Sequence, residues 1–288
     1  SALRPVLSAA GAAHTVLGDK ATDAVGRGLS KIGVPMWSSA FPLAYYPHAI
    51  KTQPSELKVV YFPSCINQTM GKSKGQSTPL IDKMVSLIGK AGYEVIFPKN
   101  MKNLCCGTIW ESKGMPDIAD RKAKELDDAL FEASDGGRYP VLCDQSPCLH
   151  RMRNTIKRVK LYEPVEFIYE YLAPHLRFVQ TDEPVALHFT CSTRHMKLND
   201  MFVALAGMCT TEVVVPEEVG CCGFAGDKGF TDPEVNRYAL RKLRKQLEAA
   251  GVKRGFSNSR TCEIGLTVNG GVPYQSIAYL VDECTIKK

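Results

Sequence analysis

The run Cys105-Cys106-Gly107 constrains this chain more than any other feature, because it occurs again as Cys221-Cys222-Gly223. The residues that follow also correspond: Glu111-Ser112-Lys113-Gly114-Met115 follows the first copy, and Gly226-Asp227-Lys228-Gly229-Phe230 follows the second. Two copies of so uncommon a pattern indicate an internal duplication. The sequence therefore predicts two similar units that each carry a cysteine pair.

Adjacent cysteines suit few kinds of chemistry. A disulfide between neighbours is strained, because their Cα atoms lie closer together than disulfide geometry prefers. A single tetrahedral metal ion is usually held by cysteines spaced a few residues apart. Neighbouring thiolates fit more easily where several metal atoms lie side by side, as in an iron–sulfur cluster. The alternative is that the pairs are buried apolar cysteines, which is weaker for two pairs in matching frames.

Length and composition point to a globular protein. The 288 residues can form one large or two ordinary domains, and 44% hydrophobic residues can build a substantial core. Eleven cysteines is an odd number, and neither a secretory signal nor an apolar run of about 18 residues is present. We therefore expect a cytoplasmic protein whose thiols act as ligands rather than as a disulfide framework.

The net charge of +6 is modest, and the densest basic run covers residues 151–160. Such a run is typical of a solvated helix face. A docking surface for an acidic partner, or for an anionic membrane such as the cytoplasmic face of the inner membrane, is the alternative. The aromatic residues that stack on bases are not interleaved with these charges, so we expect no nucleic-acid partner.

Residues 1–57 differ from the rest and contain no cysteine. Pro5 suits a first helical turn, and a helical stripe that ends at Gly33 and Pro35 follows. The members of the stripe are Ala21, Val25, Leu29 and Ile32. Residues 36–54 predict an extended arm. The arm is either a linker to another domain or a strap across the surface of this one.

The remaining chain alternates short apolar runs with helical stripes. Residues 58–182 form the first predicted lobe, with strands near 59–62, 94–97 and 140–143 and with helices at 80–88 and 116–130. Residues 183–288 form the second, with strands near 185–189, 211–215 and 255–257. A helix from Pro233 should carry Val235, Ala239, Leu243 and Leu247 on one face. This alternation predicts an α/β fold of two pseudo-symmetric, Rossmann-like lobes with parallel sheets, preceded by the N-terminal helical arm.

The cysteines follow the carboxyl ends of three predicted strands in each lobe. Because ligands of open α/β sheets bind outside those ends, we expect the cysteines of each lobe to converge near the lobe interface. The first group is Cys65, Cys105, Cys106 and Cys148, and the second is Cys191, Cys221, Cys222 and Cys262.

Several other side chains are candidates for supporting roles. Lys113 and Lys228 lie in equivalent frames and could offset thiolate charge. Around Cys191, the residues His188, Arg194 and His195 could donate hydrogen bonds or steer a proton. Cys209 and Cys284 have no counterpart in the other lobe, and we interpret them as core residues.

The duplicated order of cysteine, Cys-Cys-Gly and third cysteine resembles the cysteine-rich "CCG" domain over residues 58–288. That domain occurs in heterodisulfide reductase, in the iron–sulfur component of glycolate oxidase and at the end of FAD-linked D-lactate dehydrogenases. The resemblance implies that the eight cysteines are ligands of up to two iron–sulfur clusters of the 4Fe-4S type. In the dehydrogenases, FAD and ferredoxin-like domains precede this region. The resemblance therefore implies such domains in cis or as partner subunits, with FAD bound only there, and a module that is not catalytic alone.

One part of the pattern departs from heterodisulfide reductase. There the last site is Cys-x-x-Cys and gives five thiolates per half, whereas the matching positions here are Gln145 and Ser259. Four thiolates remain, as in the glycolate-oxidase version, and Cys143 is near enough in sequence to substitute in the first half. A four-thiolate cluster, zinc or an empty site are the alternatives.

Three functional hypotheses follow. The first is electron transfer from an oxidised 2-hydroxyacid to a quinone or cytochrome acceptor through clusters held by thiolates. The second is a zinc-binding assembly module, because four thiolates satisfy Zn²⁺, although adjacent cysteines are poor zinc chelators. The third is thiol–disulfide chemistry, which needs a thiolate of lowered pKa.

Overall fold

The computed structural model describes residues 3–30, 38, 40–72 and 75–288. Over this part of the chain it is a mixed α/β structure. Its strands in chain order are β1 (Lys58–Phe62), β2 (Glu94–Ile96), β3 (Val141–Cys143), β4 (Leu161–Tyr162), β5 (Leu176–Phe178), β6 (Val185–Leu187), β7 (Val213–Val214), β8 (Arg254–Ser257), β9 (Tyr274–Ser276) and β10 (Thr285–Lys287).

The helices lie between these strands and before them. They are α1 (Leu3–Ser30), α2 (Leu80–Lys90), α3 (Thr108–Ser112), α4 (Pro116–Ala133), α5 (Ser146–Thr155), α6 (Pro164–Phe167), α7 (Cys191–His195), α8 (Asn199–Gly207), α9 (Pro233–Ala239), α10 (Leu243–Ala249), α11 (Arg260–Gly270) and α12 (Ile277–Glu283). A π-helical turn covers Ile168–Leu172, and 3₁₀ turns cover Met101–Asn103, Ala173–His175 and Lys228–Phe230.

The two main sheets have the same topology. The first has the order β2-β1-β3-β4 and the second has the order β7-β6-β8-β9. All neighbours within them run parallel, whereas β5 and β10 form a separate antiparallel pair. The predicted fold class is confirmed. Each sheet has a fourth strand, β4 or β9, in addition to the three that the apolar runs predicted.

The apolar stripe that the sequence predicted for helix α2 lies on the buried face of that helix. Its predicted apolar residues Leu80, Ile81, Met84, Val85, Leu87 and Ile88 are all buried. Helix α4 begins at Pro116 and buries Ala119, Ala123, Leu126 and Leu130, as predicted. Period-3.6 patterns of this kind are reliable where one face of a long helix meets the core.

The N-terminal helix is present, but its apolar stripe faces outward. Val25 and Leu29 are exposed, whereas Thr22 is buried, and the helix is interrupted at Gly18, where φ is 75°. Ile32, Gly33 and Pro35 lie outside the described residues. Among the described helices, α1 included, none combines the length and the apolar character that crossing a membrane requires.

The prediction of a single helix that starts at Pro233 is wrong. The chain instead turns after Ala239 and starts α10 at Leu243. Leu243 and Leu247 are buried, whereas Val235 is 57% exposed. The reason is that α9 packs on the second Cys-Cys-Gly loop through the polar Asn236, which is buried and donates to the Cys222 carbonyl.

The two sheets share their largest apolar cluster. It contains Val59 and Tyr61 from β1 together with Val185 and Leu187 from β6. Helix contacts cross between the sheets in matching pairs, with α2 against α12 and α6 against α8. Lys83 and Lys90 of α2 both pair with Asp282 of α12, at 2.7 Å each.

A polar seam joins the loops that follow β3 and β8, formed by residues 144–146 and 258–260. The Gln145 amide Nε2 donates to Ser259 Oγ at 3.1 Å, and Gln145 Oε1 accepts from the Arg260 backbone N–H at 3.0 Å. The Ser146 N–H donates to the Asn258 carbonyl at 3.0 Å. These loops lead directly into the helix turns that carry Cys148 and Cys262, so the seam holds the two cysteine regions side by side.

The basic run of residues 151–160 is only partly a surface, because Lys157, Arg158 and Lys160 are exposed whereas its other basic residues are not. Arg151 is only 5% exposed and pairs with Glu111 and Asp120. Arg153 pairs with Glu166 at 2.6 Å, and Arg158 pairs with Asp127 and Asp128. The arginines of this run are therefore engaged within the fold.

Glu163 is a buried carboxyl group that reaches the seam. One of its oxygens accepts from the Val165 backbone N–H at 2.7 Å and so caps α6, and the other accepts from Asn258 Nδ2 at 2.7 Å. Burial raises the pKa of Glu163 from 4.5 to about 8. The folded state therefore holds this proton to a higher pH than the unfolded chain does.

This shift predicts a pH-dependent stability. Between about pH 4.5 and 8 the folded state binds more protons, so the free energy of unfolding should fall as the pH rises through that window. Glu163→Gln removes the ionisation, and urea unfolding of this variant should show a shallower fall than the parent. Glu248→Gln, at an exposed position, is the control and should follow the parent curve. Parallel curves for all three proteins would contradict the assignment.

Candidate functional site: two thiol clusters

The structure brings the four predicted cysteines of each half together. The loops after β1 and β2 supply Cys65 and the Cys105–Cys106 pair, and the first turn of α5, which follows β3, supplies Cys148. We call these four side chains the first thiol cluster. The second thiol cluster is formed by Cys191 at the start of α7, by Cys221 and Cys222 in the loop after β7, and by Cys262 in the first turn of α11. In each sheet the first strand lies between the second and the third, and all three run in the same direction. The segments that follow these strands therefore start at the same edge of the sheet.

Within the first thiol cluster the side chains interact in sequence order. Neighbouring thiols lie close enough to shift one another's pKa, Cys65 with Cys105, Cys105 with Cys106 and Cys106 with Cys148. Cys65 is exposed, Cys106 is buried, and the other two are partly buried. The cluster therefore runs from the surface into the protein.

The second thiol cluster repeats this order. Cys191 and Cys221 shift each other's pKa, as do Cys221 and Cys222. The sulfurs of Cys222 and Cys262 are 3.0 Å apart. Cys191 and Cys221 are exposed, whereas Cys222 and Cys262 are buried, so this cluster is the more open of the two.

The first cysteine of each pair is the anionic member of its cluster. Hydrogen bonds from Cys106 and then from Cys65 lower the pKa of Cys105, and those from Cys191 and Cys222 lower the pKa of Cys221. The backbone N–H of the following glycine also donates to this sulfur, at 3.4 Å for Gly107 and 3.3 Å for Gly223. Each cluster therefore holds a thiolate, the form of cysteine that binds metals.

The glycine after each pair is required by backbone geometry. Gly107 has φ 88° and Gly223 has φ 71°, both in the left-handed region. A Cβ on Gly107 would lie 2.4 Å from the Ala119 carbonyl oxygen, and one on Gly223 would lie 2.8 Å from the Val235 oxygen. The glycine thus lets each cysteine loop pack directly against a later helix, α4 for the first loop and α9 for the second.

Two residues that the sequence did not single out donate hydrogen bonds to the cysteine carbonyls. Arg151 Nε donates to the Cys106 carbonyl at 3.0 Å, and Asn236 Nδ2 donates to the Cys222 carbonyl. Neither lies in a recognisable motif. Buried polar side chains of this kind interrupt the apolar face of a helix, and that interruption was the only signal in the sequence.

The candidate lysines do not both lie where the sequence suggested. Lys113 pairs with Asp227 at 2.8 Å, which connects the segment after the first Cys-Cys-Gly to the segment after the second. Its charge is therefore shared with a carboxylate rather than directed at thiolates. Lys228 begins the 3₁₀ turn Lys228–Phe230 and is exposed.

Of the candidates near Cys191, Arg194 and His188 lie at the second thiol cluster. Arg194 donates to the Phe189 and Val219 carbonyls at 3.3 and 3.2 Å. The interaction with Cys221 and burial raise the pKa of Cys191, and the charge of Arg194 opposes part of that rise. His188 is 3% exposed, and burial lowers its pKa to about 4. Its Nδ1 lies 3.3 Å from Ser257 Oγ. The exposed His195 instead faces His150, with ring centroids 5.6 Å apart.

The remaining cysteines lie outside the two clusters. Cys143 is fully buried, and its thiol donates to the Gln145 carbonyl at 3.8 Å. Cys209 and Cys284 are buried in the largest apolar cluster and hydrogen-bond to each other. The interpretation of these last two as core residues agrees with that placement.

Four thiols are the donor set of each site, and this donor chemistry fits both an iron–sulfur cluster and a structural zinc ion. Within the described part of the chain, no three His, Cys, Asp or Glu side chains are grouped so that they could hold one metal ion. A tetrahedral ion with metal–sulfur bonds of about 2.3 Å would space its sulfurs roughly 3.8 Å apart, and the Cys222 and Cys262 sulfurs are closer, at 3.0 Å. An iron–sulfur cluster binds each thiolate to a different iron atom and would space the sulfurs farther apart still, so the spacing does not choose between the two groups.

Comparison with known families identifies the duplicated region. The model of the family described as "CCG: Cysteine-rich domain" matches residues 59–153 and again residues 185–267. The two matched segments contain all eight cysteines of the clusters. A search of the curated proteins gave no match.

Solved structures that match the chain include several racemases. An aspartate racemase from Picrophilus torridus has 7% identity and a TM-score of 0.36, over 81% of this chain and 96% of that one. An aspartate racemase homologue from Pyrococcus horikoshii OT3 has 15% identity and a TM-score of 0.28, over 78% and 96%. The glutamate racemase from Aquifex pyrophilus has 10% identity and a TM-score of 0.33, over 79% and 82%. At these scores the likenesses carry no argument about function.

The glycine geometry predicts an unequal response to alanine. Gly107→Ala should cost about 1–2 kcal/mol for the left-handed backbone and a further ~1–3 kcal/mol for the contact with Ala119. Gly114→Ala is the matched control, because Gly114 has φ 74° but nothing within 4 Å of its added Cβ. Urea unfolding should therefore show a larger loss for Gly107→Ala, and equal losses would contradict the close packing.

Proposed function

The chain belongs to the family of the cysteine-rich CCG domain, and from that membership we propose that it is an iron–sulfur electron-transfer module. We assign Cys65, Cys105, Cys106 and Cys148 as the ligands of one cluster. Cys191, Cys221, Cys222 and Cys262 are assigned to the other. The observation that supports this most strongly is the same ordered row of four thiols at the same edge of both sheets.

A bound iron–sulfur cluster would supply one-electron redox chemistry at each site. The chain contributes the surroundings. The anionic sulfurs of Cys105 and Cys221 supply ligands of the required charge. The buried Cys106, Cys222 and Cys262 exclude water from one side, and the N–H groups of Gly107, Gly223 and Phe224 point at sulfur and orient it.

The wider setting of the proposal is a flavin-dependent 2-hydroxyacid dehydrogenase of the D-lactate or glycolate type. The resemblance of the duplicated region to that group supports it. The FAD and the ferredoxin-like clusters would then lie on other domains or on partner subunits, and a quinone or cytochrome would accept the electrons. All eleven cysteines are free thiols, which supports a reducing, cytoplasmic location. The exposed Cys65, Cys191 and Cys221 lie where a partner could approach.

Iron and sulfide analysis of anaerobically purified protein tests the assignment. Cys106→Ser should lose the iron of the first site and keep that of the second, and Cys222→Ser should do the reverse, because each buried thiol belongs to one cluster only. Each variant should therefore retain about half of the parent's iron. Cys209→Ser, at a buried cysteine outside both clusters, is the control and should retain all of it.

Two results would contradict the proposal. Colourless protein with stoichiometric zinc and no sulfide would favour the zinc-binding alternative. Iron that is unchanged in Cys106→Ser or Cys222→Ser would show that the ligand assignment is wrong.

A further inference from the structure

The two sites follow one plan, so residues at matching positions can be compared directly. The matches are counted from the corresponding cysteines and agree with the contacts that each residue makes. They are Phe62 with His188, Gln68 with Arg194, Asp120 with Asn236, Asp144 with Asn258, and Arg151 with Gly265. The members of these pairs occupy the same place beside their thiol cluster but differ in chemistry, and all of them except Phe62 and His188 differ in charge.

Gln68 and Arg194 donate equivalent hydrogen bonds to backbone carbonyls, but only Arg194 carries a charge. Gln68 Nε2 donates to the Pro63 carbonyl at 2.8 Å and to the Met101 carbonyl at 3.4 Å. Arg194 donates to the matching Phe189 carbonyl and to that of Val219. Both side chains tie the loop after the central strand to the loop before the cysteine pair. The first site thus has a neutral amide where the second has a guanidinium.

The residues that hydrogen-bond to the backbone of the cysteine pair also differ in charge between the two sites. At the first site Arg151 holds the Cys106 carbonyl, and Asp120 and Glu111 hold Arg151. Two carboxylates and one guanidinium leave one negative charge there. At the second site the neutral Asn236 holds the Cys222 carbonyl directly. It does so in the space that Gly265 leaves, where an added Cβ would lie 2.5 Å from Asn236 Nδ2.

The other charged groups do not offset this difference. Beside the first site, Lys122 pairs with Glu125 at 2.6 Å, and Asp144 adds a buried carboxyl group where the second site has Asn258. Beside the second site, Arg260 pairs with Glu263 at 3.2 Å. Lys113 and Asp227 form a pair between the two. His188 stays neutral at physiological pH because burial lowers its pKa.

Taking up an electron makes a site more negative, so nearby positive charge favours the reduced state and nearby negative charge opposes it. The second site is also the more open, with two exposed cysteines against one at the first. We propose that the second thiol cluster has the higher reduction potential, so that electrons enter at the first and leave from the second. Arg194 is the main positioning residue for this order, and the inference rests on the proposed function.

The electron count is balanced at each step. A reduced flavin carries two electrons and would release them one at a time, so two successive passages would oxidise it fully. Each electron would enter at the first site and leave from the second, for a cytochrome that takes one electron or for a quinone that takes both electrons with two protons from water. No covalent bond forms or breaks in the transfer between the sites, and no proton accompanies it. Beyond the charges described above, the transfer between the sites needs no other group of the chain.

The order can be measured on proteins that retain one site each. Anaerobic redox titration followed by electron paramagnetic resonance would compare Cys222→Ser, which keeps the first site, with Cys106→Ser, which keeps the second. The second should be easier to reduce by at least tenfold in the equilibrium constant, about 59 mV for one electron. A second site with an equal or lower potential would overturn the proposal.

Arg194→Gln tests the cause, because the new side chain matches Gln68 and can make similar hydrogen bonds. In the protein that keeps the second site, Arg194→Gln should lower the potential, and Arg194→Lys should largely restore it by keeping the charge. Gln68→Arg should raise the potential of the first site. Since Arg194 is exposed, these shifts should shrink as salt is added. Arg158→Gln, in a surface ion pair with Asp127, should change neither potential.

These outcomes separate the inference from the function on which it rests. Absence of iron and sulfide from the parent would contradict the proposed function itself. Full iron with a second-site potential that Arg194→Gln leaves unchanged would contradict only the role of Arg194. A shift that persists in Arg194→Lys would show that the hydrogen bonds, not the charge, set the potential.

Discussion

Each thiol cluster depends on a strand order in which the first strand of the sheet lies between the second and the third. In the orders β2-β1-β3-β4 and β7-β6-β8-β9, three consecutive strands are neighbours and run in the same direction. Their carboxyl ends therefore lie at one edge, and the loops that leave them can meet. An antiparallel neighbour would send its cysteine to the opposite edge, so the parallel arrangement is what makes distant cysteines adjacent.

This arrangement could be predicted because it depends on strong, repeated sequence signals. The alternation of apolar runs with helical stripes indicated the parallel topology, and the fully buried faces of α2 and α4 are long enough to read from periodicity. The duplicated cysteines then located the edge. The glycine of Cys-Cys-Gly was also informative, since few other residues tolerate both its positive φ and its close approach to a helix.

What could not be predicted lies where polar groups replace apolar ones in the interior. Asn236 occupies the buried face of α9, so the apolar Val235 beside it is exposed and the pattern misleads. Arg151 belongs to a run that looks like a charged surface, yet it is buried against the Cys106 carbonyl. Both side chains satisfy a carbonyl that the tight cysteine loop leaves unpaired. That requirement depends on the folded loop and is invisible to hydrophobic periodicity.

The count of four thiols in each half is connected to the way the halves join. Gln145 and Ser259 stand where the resemblance to heterodisulfide reductase would place a fifth cysteine. In this chain they contact each other across the seam at 3.1 Å. Gln145 also accepts from the Arg260 backbone N–H, one of the N–H groups that the start of α11 leaves without a helical partner. A thiol at either position is a weak hydrogen-bonding group and would leave these buried polar groups poorly paired, at a cost of about 1–3 kcal/mol. The amide and the hydroxyl complement each other only as a pair, so the absence of a fifth thiol is a property of the joined halves rather than of each half alone.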